Sequence, residues 1–443
     1  MTNPSIACVI LCAGQGTRMK SALPKVLHEL AGLPMVEHVV TTTQQLPPEE
    51  TIIVVGPSMP QVQKTIEGLD LSATLAVQQQ ALGTGHAVRA AEEALADFDG
   101  LVFILYGDTP LIEADTLRSM QSTGATVTVL GMRPNNPAAY GRLICDDSGN
   151  LKRIVEFNDA NADERAVNLC NSGVMAVQSK DLFRYLSEIK NDNAKSEYYL
   201  TDIVELAVNE GKQCAVVEAS EESLLGVNDR ADLASAEEAW QTRRRQQVMK
   251  SGVTMISPDT VTFHHDTEIG SDVVIEPNVM FAAGVNVKKN ARIRAFSHLE
   301  GATVGEASII GPYARLRPGA NLGKDVRIGN FVEVKNADLE EGAKVNHLSY
   351  VGDAHVGAFA NIGAGTITCN YDGFQKYRTT IGDHAFIGSN SALVAPVDVG
   401  EGAIVGAGST ITEDVEADAL SMTRPQQLHR VGWAQQFRNK RQN

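Results

Sequence analysis

The sequence predicts an α/β protein in two differently patterned halves joined by a long helix, and three observations carry that expectation. Up to about residue 230, short runs of Val, Ile and Leu that end in turn residues alternate with segments of helical spacing. Residues 229–250, "DRADLASAEEAWQTRRRQQVMK", contain neither glycine nor proline and are rich in good helix formers. After about residue 252 an aliphatic residue returns every six positions.

In the first half a short apolar run at 6–10 reads as a buried strand. "TIIVVG" (51–56), "LVFILYGD" (101–108) and "ATVTVLGM" (125–132) suit strands buried on both faces of a mostly parallel sheet. "GTGHAVRAAEEALADF" (83–98) lies between two of them with helical spacing, and such alternation argues a layered α/β fold. In the second half the aliphatic series runs Ile269, Ile275, Phe281, Val287, Ile293, and again Val304, Ile310, Leu316, Leu322, Ile328, Val334. It slips by one at Leu339 and at Val356, breaks after Ile362, and continues from Ile381 to Ile411. A short fixed period means that each unit stacks on the next around one narrow core, the mark of a hexapeptide parallel β-helix. Amphipathic helices would need spacings of three and four, which are absent. The insert "TITCNYDGFQKYRTT" (366–380) breaks the period and is expected to form a loop on one face.

With 443 residues there is room for two or three domains, and a composition 43% hydrophobic and 21% charged is that of an ordinary globular chain. A net charge of −16 argues against nucleic acid or an anionic membrane surface as partner. No apolar run approaches the roughly 20 residues of a membrane span, and no basic residue precedes the first apolar run. Six scattered cysteines form neither a zinc pattern nor a disulfide framework, so a reducing, cytoplasmic setting is expected.

The first strand empties into "LCAGQGTRMKSALPKVL" (11–27). The dinucleotide pattern G-x-G-x-x-G starts with Gly14 and Gly16 but fails at Met19, and the Walker A pattern is absent. What remains is a tight loop whose backbone N–H groups can face an anion, with Arg18 and Lys25 to neutralise it. That suits a nucleoside triphosphate attacked at phosphorus, where positioning and charge neutralisation do most of the catalysis. A turn with surface cations is the plainer alternative. In the β-helix, Arg317 and Lys335 are three hexapeptides apart and would stand one above the other if a coil is three units, a paired cation for an anion. His347 would follow along the stack. An imidazole there could take a proton from an amine, with Glu333 to orient it.

"LCAGQGTRM…LPKVL" resembles the signature L-A-A-G-x-G-T-R-M of the sugar-nucleotide pyrophosphorylases, with a cysteine, Cys12, at the usual alanine. Together with the hexapeptide half, the chain from Leu11 to about Arg424 resembles the bacterial family of bifunctional UDP-N-acetylglucosamine pyrophosphorylase / glucosamine-1-phosphate N-acetyltransferases. The resemblance implies a Rossmann-like nucleotidyltransferase domain (1–230), a helical linker (231–251) and a left-handed parallel β-helix with N-acetyltransferase activity (252–443). It places Leu11, Cys12, Ala13, Gly14 and Lys25 against the nucleotide and Gln78, Gly83 and Thr84 against uracil, where an amide can both donate and accept. It puts Tyr106, Gly107 and Asp108 of "YGDTP" at the carboxyl end of a strand, with Mg²⁺ held by Asp108 and Asn228. Gly141, Glu156 and Asn171 are implied for the sugar; nothing in the sequence alone would single them out.

In the second half the resemblance makes His347 the base and matches Arg317, Lys335, Tyr350 and Asn361 to the sugar phosphate; Lys376 in the insert also matches a family residue. Ala364, Asn370, Tyr371, Ser389, Ala407 and Arg424 match positions lining the acetyl-CoA groove. The implied substrates are UTP, N-acetylglucosamine-1-phosphate, glucosamine-1-phosphate and acetyl-CoA, and the implied assembly is a homotrimer. The rival expectation is a single nucleotidyltransferase with a purely structural β-helix. The tail "HRVGWAQQFRNKRQN" (429–443) is basic and is expected to be loosely ordered.

Overall fold

The computed structural model describes residues 4–69, 73–137 and 140–442. It divides into two compact units, Met1–Trp240 and Gln241–Asn443. In the first, strands β1 (Ile6–Leu11), β2 (Glu50–Val55), β3 (Thr74–Val77), β4 (Leu101–Tyr106) and β5 (Val127–Met132) join β8 (Cys170–Gln178) and β9 (Cys214–Glu218) in one sheet. Its order is β9-β5-β8-β4-β1-β2-β3, parallel except for β8, which runs antiparallel to β4 and β5. A small antiparallel ribbon, β6 (Arg142–Cys145) with β7 (Leu151–Val155), branches from β8. Every residue of β1 and β5 is buried, because helices cover both faces, which explains the unbroken aliphatic runs.

The helix expected over 83–98 is shorter than its spacing suggests. An α-helix runs Thr84–Arg89, and beyond it backbone bonds reach back three residues, ending in a 3₁₀ turn at Glu93–Leu95. Val88, Ala91 and Leu95 still pack on the sheet, so burial at spacings of three and four is kept while the helical ladder is not.

The helix expected at 229–250 is Arg230–Lys250, and the boundary between the two units falls within it. Its Gln241 side chain exchanges hydrogen bonds with the Phe263 backbone, donating to the carbonyl at 2.7 Å and accepting from the amide at 2.9 Å. The second unit is the left-handed parallel β-helix of hexapeptide repeats. Strand pairs lie 18 residues apart at Ile275–Ile293 and 17 at Ile293–Ile310, so one coil is three hexapeptides, and the slips shorten it by one. A second interior series falls two residues before the aliphatic one: Val273, Val279, Val285 and Ala291, then Ala314, Ala343, Ala360 and Ala385. These residues are small or β-branched because the coil is narrow. The basic tail departs from expectation: Trp433–Gln442 is helical. Trp433 stacks on Phe437 at 5.2 Å and Arg441 lies over the same ring, pairings that helical spacing brings together. No described helix is long and apolar enough to cross a membrane.

Candidate functional site

In the first unit the loop after β1 turns through Gly16 into a 3₁₀ turn, Thr17–Met19. Met19, the residue that breaks the dinucleotide pattern, is a buried core side chain. A cavity of about 280 Å³ opens at the carboxyl ends of β1 and β4, and its lining includes the predicted residues Leu11, Cys12, Ala13, Gly14, Lys25, Gln78, Gly83, Thr84, Tyr106 and Asp108, drawn from positions nearly a hundred residues apart. Gln15, Val26, Ala81, Ala87 and Glu197 also line it and were not predicted. Gly107 makes the close approach possible: its amide donates to the Leu11 carbonyl at 3.0 Å, and a Cβ there would collide with the Cys12 sulfur. Gly83 has φ of +109°, and a side chain would strike the Tyr198 carbonyl. The Gln78 amide nitrogen donates to the Gly83 carbonyl at 3.2 Å, leaving its oxygen to accept.

Asp108 and Asn228 converge although 120 residues separate them. The Val227 amide donates to the Asp108 carbonyl at 2.9 Å, which holds the two loops together. Lys25 is ion-paired with Asp108, its Nζ also lies 3.4 Å from the Asn228 Oδ1, and Arg18 donates to that same oxygen at 2.9 Å. Two hard oxygens thus face one cationic position, a donor set that suits a divalent cation. Burial pushes the Cys12 thiol and the Tyr106 hydroxyl well above their ordinary values, with Asp108 adding to both, so each stays protonated and neutral.

Gly141, Glu156 and Asn171 also meet. The Asn171 amide donates to the Gly141 carbonyl at 2.9 Å, and a Cβ on Gly141 would touch both Glu156 carboxylate oxygens. Burial raises the Glu156 carboxyl, and Thr201, which sequence reasoning missed, donates to it at 3.4 Å. Beneath them Arg142 is buried with carbonyls for partners: Pro137 at 2.9 Å, Arg165 at 3.3 Å, and Tyr140. We expect Arg142→Met to leave these acceptors unpaired and to cost about 2–4 kcal/mol. Thermal melting of the first unit checks this; an unchanged melting temperature would refute it.

In the second unit the predicted residues fall on two faces. On one, Leu316 pairs with Val334, so Arg317 and Lys335 are stacked one coil apart, and Glu333 pairs with Tyr350. The Lys335 ammonium is held below its ordinary value chiefly by Lys376 and then by Arg317, the signature of cations gathered for an anion. Asn370 is bonded to Asp353 and lies 3.5 Å from the Tyr350 hydroxyl, which anchors the start of the insert. Tyr371 and Lys376 face each other across that loop and are exposed. Glu333 does not orient His347, as had been expected. Its carboxylate accepts from Arg317 Nη1 at 2.7 Å, and the coil turns before His347 is reached.

The other face carries a corner ladder of backbone bonds. Leu348 donates to Asn330, Gly365 to His347, Asn390 to Ala364 and Gly408 to Ser389, at 2.7–3.2 Å. His347, Ala364, Ser389 and Ala407 therefore form one column, and Arg424 closes it by donating to the Ala407 carbonyl at 3.1 Å. Asn361 pairs with Lys344 in this same sheet, on the face of His347 rather than that of Arg317 and Tyr350.

A family profile for MobA-like NTP transferase domains matches residues 8–168, and one for hexapeptide repeats of succinyl-transferases matches residues 378–413. The chain is 56% identical to the bifunctional protein GlmU of Rhodospirillum rubrum over 98% of this chain and 97% of that one. It is 53% identical to its namesake in Sphingopyxis alaskensis (99% and 97%) and 50% identical to that of Zymomonas mobilis (98% and 98%). Among solved structures, the inositol-1-phosphate CTP transferase from T. maritima aligns at 16% identity and a TM-score of 0.43 over 53% of this chain and 94% of that one, too distant a likeness to carry weight. With a cavity at the strand ends of one unit, a hexapeptide coil in the other and half of all residues shared end to end with these relatives, the chain belongs to the family of bifunctional GlmU proteins.

Proposed function

We propose that the two units carry out successive steps in making UDP-N-acetylglucosamine. The β-helix transfers acetyl from acetyl-CoA to the amine of glucosamine-1-phosphate. The first unit then joins N-acetylglucosamine-1-phosphate to UTP and releases pyrophosphate. The observation that carries the double assignment is the cavity at the strand ends holding Lys25 and Asp108, together with His347, Lys376 and the Asn370–Tyr371 pair on the coil, side chains that a structural spacer does not need.

In uridylyl transfer the sugar phosphate attacks the α-phosphate in line, and no covalent enzyme intermediate is needed. Gln78, Gly83 and Thr84 hold the base; Gly141, Glu156 and Asn171 hold the sugar. Lys25 and Arg18 turn from Asp108 and Asn228 to the phosphates and neutralise the charge that builds there. Asp108 and Asn228 would hold Mg²⁺, which when bound neutralises phosphate charge and helps align the groups.

In acetyl transfer Arg317, Lys335 and Lys376 hold the sugar phosphate, and acetyl-CoA lies along the column from Ala364 to Arg424. The amine nitrogen bonds to the thioester carbon, its proton passes to His347, and the C–S bond breaks to release the CoA thiolate. Residues 252–443 should consume acetyl-CoA in the presence of glucosamine-1-phosphate, and failure of the intact chain to do so would sink this half of the reading.

The working assembly is a homotrimer in the cytoplasm. Six free cysteines suit a reducing compartment. The corner ladder supports association. Phe296, Tyr313 and Phe331 occupy its left-handed positions, at φ of 56–60°, stacked 4.9 and 5.2 Å apart, and each is about half exposed. Bulky side chains are costly in that conformation, and an exposed apolar column marks a surface to be covered. It adjoins His347 through Leu348. Phe331→Asp should shift the trimer toward monomer and lower acetyl transfer by about 10-fold or more; a monomer by light scattering with full acetylation would refute the trimer.

A further inference from the structure

The partner of the His347 ring is a feature that sequence reasoning did not reach. Its Nδ1 lies 2.9 Å from the Oδ1 of Asn330. The two residues are in register on adjacent strands, Arg327–Asn330 and Lys344–His347, one coil of seventeen residues apart. Their backbones are tied as well, since the Leu348 amide donates to the Asn330 carbonyl at 3.0 Å. An amide oxygen can only accept, so the imidazole must carry its proton on Nδ1. In the neutral ring that leaves Nε2 with a free lone pair, the atom a base needs. Resting on the reading of His347 as the base, we propose that Asn330 is a positioning residue for acetyl transfer, holding His347 in the Nδ1–H tautomer with Nε2 presented to the substrate amine.

The proton on Nδ1 stays with Asn330 throughout. The proton lost by the amine goes to Nε2 and leaves from there, to the departing thiolate or to water, so the ring returns to its starting state. An amide suits this task differently from a carboxylate. It fixes the ring by a neutral acceptor and adds no negative charge beside it. The rest of the surroundings do not supply such a charge by direct bonding. Ser349 and Gly365 donate to the His347 carbonyl at 2.8 and 3.2 Å, Arg327 and Lys344 are the charged residues of the two paired strands, and the Glu333 carboxylate in the adjoining sheet is held by Arg317.

The test uses the full-length enzyme, with acetyl transfer followed by thiol release from acetyl-CoA and uridylyl transfer as the control for folding. Asn330→Ala should lower kcat for acetyl transfer about 10–100-fold, the size of loss found when the partner that orients a metal-bound imidazole is removed, with KM for glucosamine-1-phosphate changed less than about 3-fold. In a His347→Ala background the same substitution should change nothing, because the group it positions is gone. Asn330→Asp keeps the shape and the acceptor but adds charge, so the acid limb of the pH–rate profile should move up by about one pH unit. Wild-type kcat in Asn330→Ala, or an equal loss in both backgrounds, would overturn the proposal. Where the alanine variant fails to assemble, the aspartate variant decides: an unmoved acid limb overturns it. Full acetylation by His347→Ala alone is a distinct result, which removes the base assignment itself and with it the ground for this proposal.

Discussion

His347→Ala should lose acetyl transfer by about 10²–10⁴-fold, roughly 3–5 kcal/mol of barrier, while uridylyl transfer stays near wild type. An ammonium cannot attack a thioester, so the sugar amine must shed a proton before or during attack. His347 lies in the column that runs through Ala364, Ser389 and Ala407 to Arg424, so the proposed base stands in line with the proposed acetyl-CoA track. Its side chain is exposed and bonded only to Asn330 among the described residues, so its removal leaves no buried partner stranded and the coil should fold. The pH profile separates a base from a binder. Wild-type acetyl transfer should fall on the acid side as the imidazole gains a proton. The alanine variant should recover in part as pH rises and free amine becomes abundant. Acetylation at the wild-type rate at neutral pH would show that His347 is not the base.

Asp108→Ala should lower uridylyl transfer by on the order of 10³-fold and leave acetyl transfer intact. The carboxylate faces the cationic position that Lys25 shares with Asn228, and no other carboxylate is bonded to Lys25 among the described residues. The loop itself should survive, since the bond from the Val227 amide goes to the Asp108 backbone carbonyl. Asp108→Asn is the companion variant: it keeps the shape, removes the charge, and should be nearly as inactive if charge is what matters. Titration of Mn²⁺ into the nucleotide-bound enzyme gives a second readout, and both variants should bind it more weakly. Unchanged pyrophosphate release by Asp108→Ala would sink the assignment, and a parallel loss of acetylation would point to misfolding. The two sites belong to different compact units, so damage to one should not reach the other.

Much of the fold was legible because burial writes itself into residue order. Strands covered on both faces need unbroken aliphatic runs, and β1, β2, β4 and β5 have them. A coil of three hexapeptides needs an interior side chain every six residues, and the slips at Leu339 and Val356 appear as coils of seventeen. The short helix Thr84–Arg89 was less legible. Its apolar spacing records which residues face the sheet, and that requirement is met equally by tighter turns.

The amino-acid order by itself determined the two architectures, the glycine loop that follows the first strand, and the stacking of Arg317 on Lys335, since each depends on spacing within a few repeats. It could not determine which side chain partners which once the chain returns from far away. Glu333 and Asn330 both lie within seventeen residues of His347, and a carboxylate is the more familiar companion for an imidazole. Tertiary structure alone decided between them. The coil turns a corner between residues 330 and 333, so Asn330 falls in the sheet of His347 and Glu333 in the sheet of Arg317, whose charge then claims it. The same holds for Asp108 with Asn228 and for Thr201 with Glu156: a hydrogen bond is decided within about 3 Å in space, a distance that residue order specifies only through the completed fold.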